Sequence, residues 1–236
     1  MTLSSSHVIV FGGSSGIGLA IARACLSRGA AVTIASRSAA RLAAAADGLA
    51  AGDRLVTEVA DIADEAAVAR VVAARPVDHV VISTVDPCYA PIRELAMARA
   101  RALFDAKLFG ALHVAKHARL PATGSLTVVS GIAAERPMAG GAAVTAVNGA
   151  LDALVRALAG ELAPARANAL SPGWVDTPAW DGIGDKARRL AERARSLPVG
   201  RIGAPDDLAA AALFLIENGF TTGEVLHVDG GHRFAS

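Results

Sequence analysis

Val10-Phe11-Gly12-Gly13-Ser14-Ser15-Gly16-Ile17-Gly18 is the stretch that decides the fold. It starts at the end of a β-branched run, residues 7–11, and leads through a glycine-rich turn into residues 17–28, which have helical period. Glycine permits the dihedral angles of a tight turn, and a helix N-terminus offers backbone N–H groups to a phosphate. The stretch therefore predicts a strand–turn–helix unit with a phosphate site at the turn.

Outward from this unit, β-branched runs alternate with Ala-, Leu- and Arg-rich stretches along the whole chain. This order is typical of βαβ units, which build a parallel sheet covered by helices on both faces. No linker or repeat interrupts it, so we predict one α/β, doubly wound domain over residues 1–236. Strands are predicted at residues 7–11, 31–35, 55–59, 79–82, 126–129, 167–170 and 225–228, and helices at 17–28, 37–51, 64–74, 98–118, 143–162 and 205–217.

Composition argues against several classes of protein. With 236 residues, 53% hydrophobic and 19% charged, the chain suits one large globular domain, and a net charge of +1 gives no field for nucleic acid. The longest strictly apolar run, residues 208–216, is far shorter than the roughly 20 residues of a membrane span, and the N-terminus has no basic flank. We expect a cytoplasmic location, with neither a membrane nor a nucleic acid as partner. Two cysteines, and no His, Cys or carboxylate cluster at ligand spacing, predict no disulfide framework and no metal site.

Three segments that follow predicted strands favour a dinucleotide at the glycine turn. Ser36 and Arg37 stand where an acidic residue would bind the ribose hydroxyls of NAD, and a guanidinium suits a 2′-phosphate instead. Asp61 and Ile62 follow strand three, and residues 170–178 follow strand six, where open α/β sheets bind ligands. The pattern favours NADP over NAD, although Arg37 alone is also compatible with a solvated arginine at a helix start.

With these segments in place, the chain closely resembles the short-chain dehydrogenase/reductase family. The resemblance covers nearly the whole chain and includes Asp61-Ile62-Ala63-Asp64, Asn168-Ala169-Leu170-Ser171-Pro172-Gly173, Pro198-Val199-Gly200-Arg201 and residues 223–231, in family order. It implies a Rossmann-type fold, NADP(H), a small-molecule substrate and a homodimer or homotetramer. It also implies that Gly12, Ser14, Ser15, Gly16, Ile17 and Gly18 hold pyrophosphate and ribose, Asp61 and Ile62 the adenine, and Pro172, Gly173, Trp174, Val175 and Thr177 the nicotinamide end. Ser83 and Thr84 stand where the family has Asn-Ala, and they are candidates to bond either the ribose or neighbouring strands.

The catalytic residues that the resemblance implies, Asn, Ser, Tyr and Lys, are not at the matching positions. In the family the tyrosine donates a proton to a carbonyl and the lysine lowers its pKa. Here the serine position is Gly131, with Ser130 one residue upstream, and the Tyr-x-x-x-Lys positions are Val144 and Asn148. The asparagine position in the preceding helix is Lys107.

This exchange predicts that the site's ammonium has moved from one helix to its neighbour. Gly110, Ala111 and Val114 lie three, four and seven residues after Lys107, and such a small apolar face points inward. Our hypothesis is that Lys107 anchors the ribose or donates the proton, with a pKa lowered by burial. The alternative is a lysine whose stem covers apolar surface while its ammonium stays in water.

Other candidates for the site are Ser130, as a hydrogen-bond partner of the substrate, Asn148, and Tyr89. Tyr89 is the only tyrosine and lies in the loop after strand four, as proton donor or as a wall of the substrate cleft. Residues 179–197 are expected to form a variable substrate lid. Glu135 and Arg136 are expected to pair only with each other, and the stripe Leu151, Leu154, Val155, Leu158 and Leu162 to face either a second subunit or the sheet.

The leading functional prediction is NADPH-dependent reduction of a small carbonyl, imine or activated alkene by hydride transfer without the usual tyrosine. One alternative is a redox-silent NADP-binding sensor or partner protein. The other is non-redox chemistry, in which Lys107 forms a Schiff base with a carbonyl substrate.

Overall fold

The computed structural model describes residues 3–85, 88–182 and 184–235. Seven strands form one sheet in the order β3-β2-β1-β4-β5-β6-β7, and all six pairings are parallel. This is the Rossmann-type, doubly wound order, so the predicted fold class is confirmed. The strands are β1 (His7–Phe11), β2 (Ala31–Ser36), β3 (Leu55–Val59), β4 (His79–Ile82), β5 (Ser125–Val129), β6 (Arg166–Pro172) and β7 (Val225–Val228).

Helices cover both faces of the sheet. They are α1 (Gly16–Ser27), α2 (Ala39–Leu49), α3 (Glu65–Ala73), α4 (Met97–Phe104), α5 (Gly110–His117), α6 (Ala142–Glu161), α7 (Lys186–Ser196) and α8 (Pro205–Glu217). The single helix predicted at residues 98–118 is divided, because a π-helical turn, Asp105–Phe109, separates α4 from α5. Helix α7 was not predicted and lies inside the expected lid.

The period-two alternation of β1 shows how the two cores form. Val8 and Val10 pack in one core with α1 and α8, whereas Ile9 and Phe11 pack in the other with α3, α5 and α6. Both faces of the strand are buried, as expected for a parallel sheet between two helical layers.

Helix α6 is the one described helix that is long and apolar enough to cross a membrane by length and composition. Leu151, Val155 and Leu158 are buried and pack in the core with the sheet. The apolar stripe of α6 therefore has its fully buried members on the sheet side. Polar residues, among them Asn148 and Asp152, interrupt this helix, so it contains no long run of strictly apolar residues. Both of these polar residues are nevertheless buried.

Candidate functional site

A cleft of about 610 Å³ opens at the carboxyl ends of the strands, beside β1. Strands β2 and β3 follow on one side of β1 and strands β4 to β7 on the other, so the order in which the chain adds strands reverses at this point. Ligands of open α/β sheets bind at such a switch point. Every residue predicted for the site lines this cleft except Gly18. The lining residues among them are Gly12, Ser14, Ser15, Gly16, Ile17, Ser36, Arg37, Asp61, Ile62, Ser83, Thr84, Tyr89, Lys107, Ser130, Asn148, Pro172, Gly173, Trp174, Val175 and Thr177.

The glycines of the turn are required by close backbone contacts. Gly12 has a φ of +81°, and a Cβ there would lie 2.6 Å from the carbonyl oxygen of Ser83. A Cβ on Gly18 would lie 2.3 Å from the carbonyl oxygen of Gly12. Glycine at position 18 therefore lets α1 pack against the turn. Its expected contact with the ligand stays a prediction.

The N-terminus of α1 is suited to an anion. Ser15 is its N-cap residue but its side chain accepts no capping hydrogen bond, and the first turn contains no acidic residue. By contrast, the N-cap side chains of α2 and α3, Ser38 and Asp64, both accept backbone N–H bonds. Because the first N–H groups of a helix have no intrahelical acceptor, this uncapped end offers donors and a favourable dipole to a phosphate.

Two arginines, Arg37 and Arg41, line the end of the cleft beside β2. Sequence reasoning missed Arg41, which lies in the first turn of α2 and reaches the cleft through the packing of that helix on the sheet. Asp61 is the only carboxylate that lines the cleft among the described residues. No group of three or more His, Cys, Asp or Glu side chains suited to a metal occurs in the described part of the chain.

The side chain of Lys107 is inside the protein, with 6% of the residue exposed. Its Nζ donates to the carbonyl oxygen of Ser130 at 2.9 Å and to Oδ1 of Asn148 at 2.6 Å. Burial lowers the pKa of Lys107 to about 8, and the negative charge of Asp152 opposes that shift. The snorkelling alternative requires an ammonium in water, and the structure places it against two oxygen acceptors instead.

Gly131 makes room for the amide that holds Lys107. A Cβ at position 131 would lie 2.8 Å from Nδ2 of Asn148. The amide of Asn148 thus occupies the space beside Gly131 and accepts the hydrogen bond from Lys107. Beside them, the hydroxyl of Ser130 is buried and has no partner of hydrogen-bonding geometry among the described residues, although it lies near enough to lower the pKa of Asp152.

Aromatic side chains form one wall of the cleft. Trp174 and Trp180 stack with ring centroids 4.5 Å apart, and Tyr89 stacks on Trp180 at 6.2 Å. Tyr89 is 42% exposed. Its contact with Trp180 places it in a wall of stacked rings, the second of the two roles considered for it.

Glu135 and Arg136 do not pair with each other. Oε1 of Glu135 lies 2.8 Å from Nε2 of His227, and Arg136 donates to the carbonyl oxygen of Ala235 at 2.7 Å. These partners lie in β7 and the C-terminal segment, far along the chain from residues 135 and 136. Only the tertiary structure brings them together. Arg136, together with Arg193 and His232, lines the cleft, and sequence reasoning assigned none of the three to the site.

The family is decided by a match over almost the whole chain. A family model described as Enoyl-(Acyl carrier protein) reductase matches residues 12–233. The chain belongs to the short-chain dehydrogenase/reductase family. It is an oxidoreductase of that type, and enzymes of this kind act on small molecules.

Curated relatives of this short-chain dehydrogenase/reductase cover it nearly end to end. An uncharacterised oxidoreductase of Methylorubrum extorquens is 32% identical over 98% of this chain and 99% of its own length. Galactitol 2-dehydrogenase (L-tagatose-forming) of Cereibacter sphaeroides is 35% identical over 98% of this chain and 96% of its own.

Solved structures agree with this short-chain dehydrogenase/reductase in fold. A small-chain dehydrogenase in complex with NADPH superposes with a TM-score of 0.86 at 32% identity, covering 98% of this chain and 100% of the other. A short-chain dehydrogenase/reductase (glucose/ribitol dehydrogenase) of Brucella melitensis superposes with a TM-score of 0.93 at 28% identity, and both chains are covered completely.

The link through Asn148 predicts the effect of returning serine to position 131 in this short-chain dehydrogenase/reductase. In Gly131→Ser the added Cβ displaces the Asn148 amide, so Lys107 loses its 2.6 Å acceptor and kcat is expected to fall about tenfold, the loss of one charge-assisted hydrogen bond. Steady-state kinetics measures this. Gly149→Ala, on α6 next to Asn148, is the control, because a Cβ there meets nothing within 4 Å. Equal kcat in the two variants would show that the amide does not position Lys107.

Proposed function

We propose that this enzyme is an NADPH-dependent reductase of a small carbonyl compound, in which Lys107 takes the place of the family's tyrosine. The observation that carries the proposal is a buried ammonium, held by Ser130 O and Asn148 Oδ1, in the wall of the cleft. An imine or activated alkene remains within the same proposal, because both also accept a hydride and a proton.

The cleft fits a nicotinamide dinucleotide along its whole length. The uncapped N-terminus of α1 would hold the pyrophosphate, Arg37 and Arg41 the 2′-phosphate, Asp61 and Ile62 the adenine, and residues 172–177 the nicotinamide end. The hydroxyl of Thr84 already donates to the carbonyl oxygen of Ala106 at 2.8 Å, which leaves it as an acceptor toward a ribose. When bound, NADPH supplies the hydride that reduces the carbonyl carbon.

Lys107 can supply the proton that the reduced carbonyl oxygen needs. An ammonium has three donors, and within the described residues two of them are used, by Ser130 O and Asn148 Oδ1. With a pKa of about 8, most of the side chain is protonated near neutral pH, and burial stabilises the neutral amine that remains after transfer. Lys107 Nζ therefore loses a proton to the oxygen as the alcohol forms, and solvent returns it afterwards.

The absence of the family's Tyr-x-x-x-Lys pair is part of this proposal. Val144 and Asn148 occupy those two positions, and both line the cleft. The amide at 148 cannot donate a proton for catalysis, but it accepts one of the three hydrogen bonds of an ammonium. The site thus keeps one cation between the same two helices.

The proposal is tested by titrating the purified protein with NADPH and then assaying NADPH consumption with a panel of ketones and aldehydes. Binding followed by consumption is the expected result. NADPH binding with no consumption across the panel would favour the redox-silent alternative. Treatment with borohydride during incubation with a carbonyl, followed by mass spectrometry, distinguishes the third function: an adduct on Lys107 would show Schiff-base chemistry.

The pH dependence of reduction follows from the pKa of Lys107. Because the protonated form is the donor, we expect kcat for reduction to be high below pH 8 and to fall as the pH rises through about 8. Asp152→Asn removes the negative charge that raises this pKa, so the descending limb should move to lower pH. A pH profile with the same limb in wild type and in both Asp152→Asn and Lys107→Met would assign the titration to another group.

Several further features belong to the proposal. Residues 179–197 act as the substrate lid, and Lys186 ties its helix to the β6 loop by donating to Thr177 O at 3.0 Å. Phe109, in the π-helical turn, and Leu112, on α5, are 48% and 39% exposed. We assign this outer face to a homodimer or homotetramer contact. We place the enzyme in the cytoplasm, with no membrane or nucleic-acid partner.

A further inference from the structure

The aromatic wall of the cleft brings together three large ring side chains. Both tryptophans and the only tyrosine of the chain, Trp174, Trp180 and Tyr89, stack there. They come from two separate loops, after β6 and after β4, so only the fold assembles them. Trp180 stacks with both of the other rings, so a planar group of a ligand would meet this stack at its ring edges or at the open face of Tyr89. Such contacts between rings are favourable beyond the area they bury.

The same end of the cleft is positively charged. Arg136, Arg193 and His232 line it, and the guanidinium of Arg193 lies 5.2 Å from the centroid of the Trp174 ring. The three groups act on one another: burial lowers the pKa of His232, and the charges of Arg136 and Arg193 lower it further, whereas Asp229 opposes them. A buried Nδ1 of His232 has no hydrogen-bond partner among the described residues.

Among the arginines that line the cleft at this end, neither Arg136 nor Arg193 has a carboxylate partner within the described residues. Two arginines beside the lid that do not line the cleft are paired. Arg188 is paired with Asp185 and Glu192, and Arg201 with Asp207, at 2.6 to 2.8 Å. Within residues 3–85, 88–182 and 184–235, no acidic side chain lies within ion-pair distance of Arg136 or Arg193. A cation without an internal counter-ion beside an apolar wall is available for an anion brought by the ligand.

From this arrangement we propose that the substrate is an aromatic carbonyl compound that carries an anionic group, with a carboxylate as the group that fits. Its ring packs against the open side of the stack that Trp180 holds together, its carboxylate meets Arg136 and Arg193, and its carbonyl faces Lys107. This inference rests on the proposed function for the role of Lys107, but the recognition of ring and anion does not depend on turnover.

The experiment is calorimetric titration of three small probes into the protein saturated with NADP⁺, which allows binding without reduction. The probes are 3-acetylbenzoate, its neutral methyl ester and levulinate, an aliphatic keto acid. The acid is expected to bind about tenfold more tightly than the ester, because only the acid makes charge-assisted bonds to guanidinium. It is also expected to bind about fivefold more tightly than levulinate, which lacks the ring.

Variants separate the two parts of the site. Arg193→Ala and Arg136→Ala should each weaken binding of the acid about tenfold and leave the ester within twofold. Arg195→Ala is the matched control, because Arg195 is exposed on the same helix and does not line the cleft. Trp180→Leu should weaken acid and ester alike, and Trp180→Phe should restore both.

Two results would overturn the inference: equal affinity of wild type for acid and ester, or equal losses for the ester and the acid in Arg193→Ala. A repeat of the acid titration without NADP⁺ distinguishes failure of the substrate subsite from failure of the proposed function. If the cofactor fails to bind, the proposed function fails while the preference for the acid still tests the subsite. If the cofactor binds and is consumed but acid and ester do not differ, only the substrate class is wrong.

Discussion

Lys107→Met is expected to lower kcat for carbonyl reduction by about 10²- to 10⁴-fold, the usual contribution of a positioned proton donor. Methionine retains the length of the apolar stem and removes the ammonium that donates to Ser130 O and Asn148 Oδ1. Since burial already opposes the charge, as the lowered pKa shows, the variant is expected to fold. Single-turnover kinetics with NADPH measures the loss at the chemical step.

The matched control is Lys116→Met, nine residues along on α5. Lys116 is exposed and pairs with Glu65 at 2.6 Å, far from the cleft lining, so kcat should stay within twofold of wild type. Thermal unfolding of both variants separates loss of chemistry from loss of fold. If Lys107→Met keeps both its turnover and its affinity for NADPH, the relocated ammonium has no role in this enzyme.

The second large effect is expected at the other end of the cleft. Arg37→Ala/Arg41→Ala should weaken NADPH binding about 100-fold, because each guanidinium is expected to make a charge-assisted bond to the 2′-phosphate, worth roughly 1.5 to 3 kcal/mol. Binding of NADH, which has no 2′-phosphate, should change less than threefold. Fluorescence titration with the two cofactors measures both constants.

Arg23→Ala controls for a general loss of positive charge in this double variant. Arg23 is an exposed arginine on α1 that lies 3.8 Å from Asp206 and does not line the cleft. It should leave both dissociation constants within twofold. Equal losses for NADPH and NADH in the double variant would mean that the arginines serve the fold or the pyrophosphate, and that the cofactor preference has another origin.

The strands could be predicted well because most of them are short runs rich in β-branched and other apolar residues, bounded by turn residues. Four strands, His7–Phe11, Leu55–Val59, His79–Ile82 and Val225–Val228, have the predicted bounds, and β6 is longer than predicted at both ends. Helix α7 was missed because it is highly charged and buries only Leu190, so its apolar period is weak. The π-helical turn at Asp105–Phe109 has no sequence signature of its own, since it arises where the helix changes its packing.

The residues of the candidate site also fall into those that the sequence could locate and those that it could not. Positions that depend on a local turn or a strand end, such as Gly12, Arg37 and Asp61, could be located from the sequence. Arg41, Arg193 and His232 could not, because they come from helices and loops whose relation to the cleft depends on long-range packing. The close approach of Gly18 to the carbonyl oxygen of Gly12, which excludes a side chain at position 18, is likewise visible only in the folded chain.

By itself, the sequence determined the strand and helix order of a parallel sheet and the glycine-rich turn, because each is written in residues close together in the chain. It also predicted an exchange of lysine and asparagine between two helices. The tertiary structure decided what that exchange means physically. It buries Lys107 against Asn148 and Ser130, opens the space for that amide at Gly131, and sets a wall of stacked rings beside unpaired arginines. These contacts join segments far apart in the chain, and their distances and burial, on which the pKa of an ammonium depends, exist only once the chain has folded.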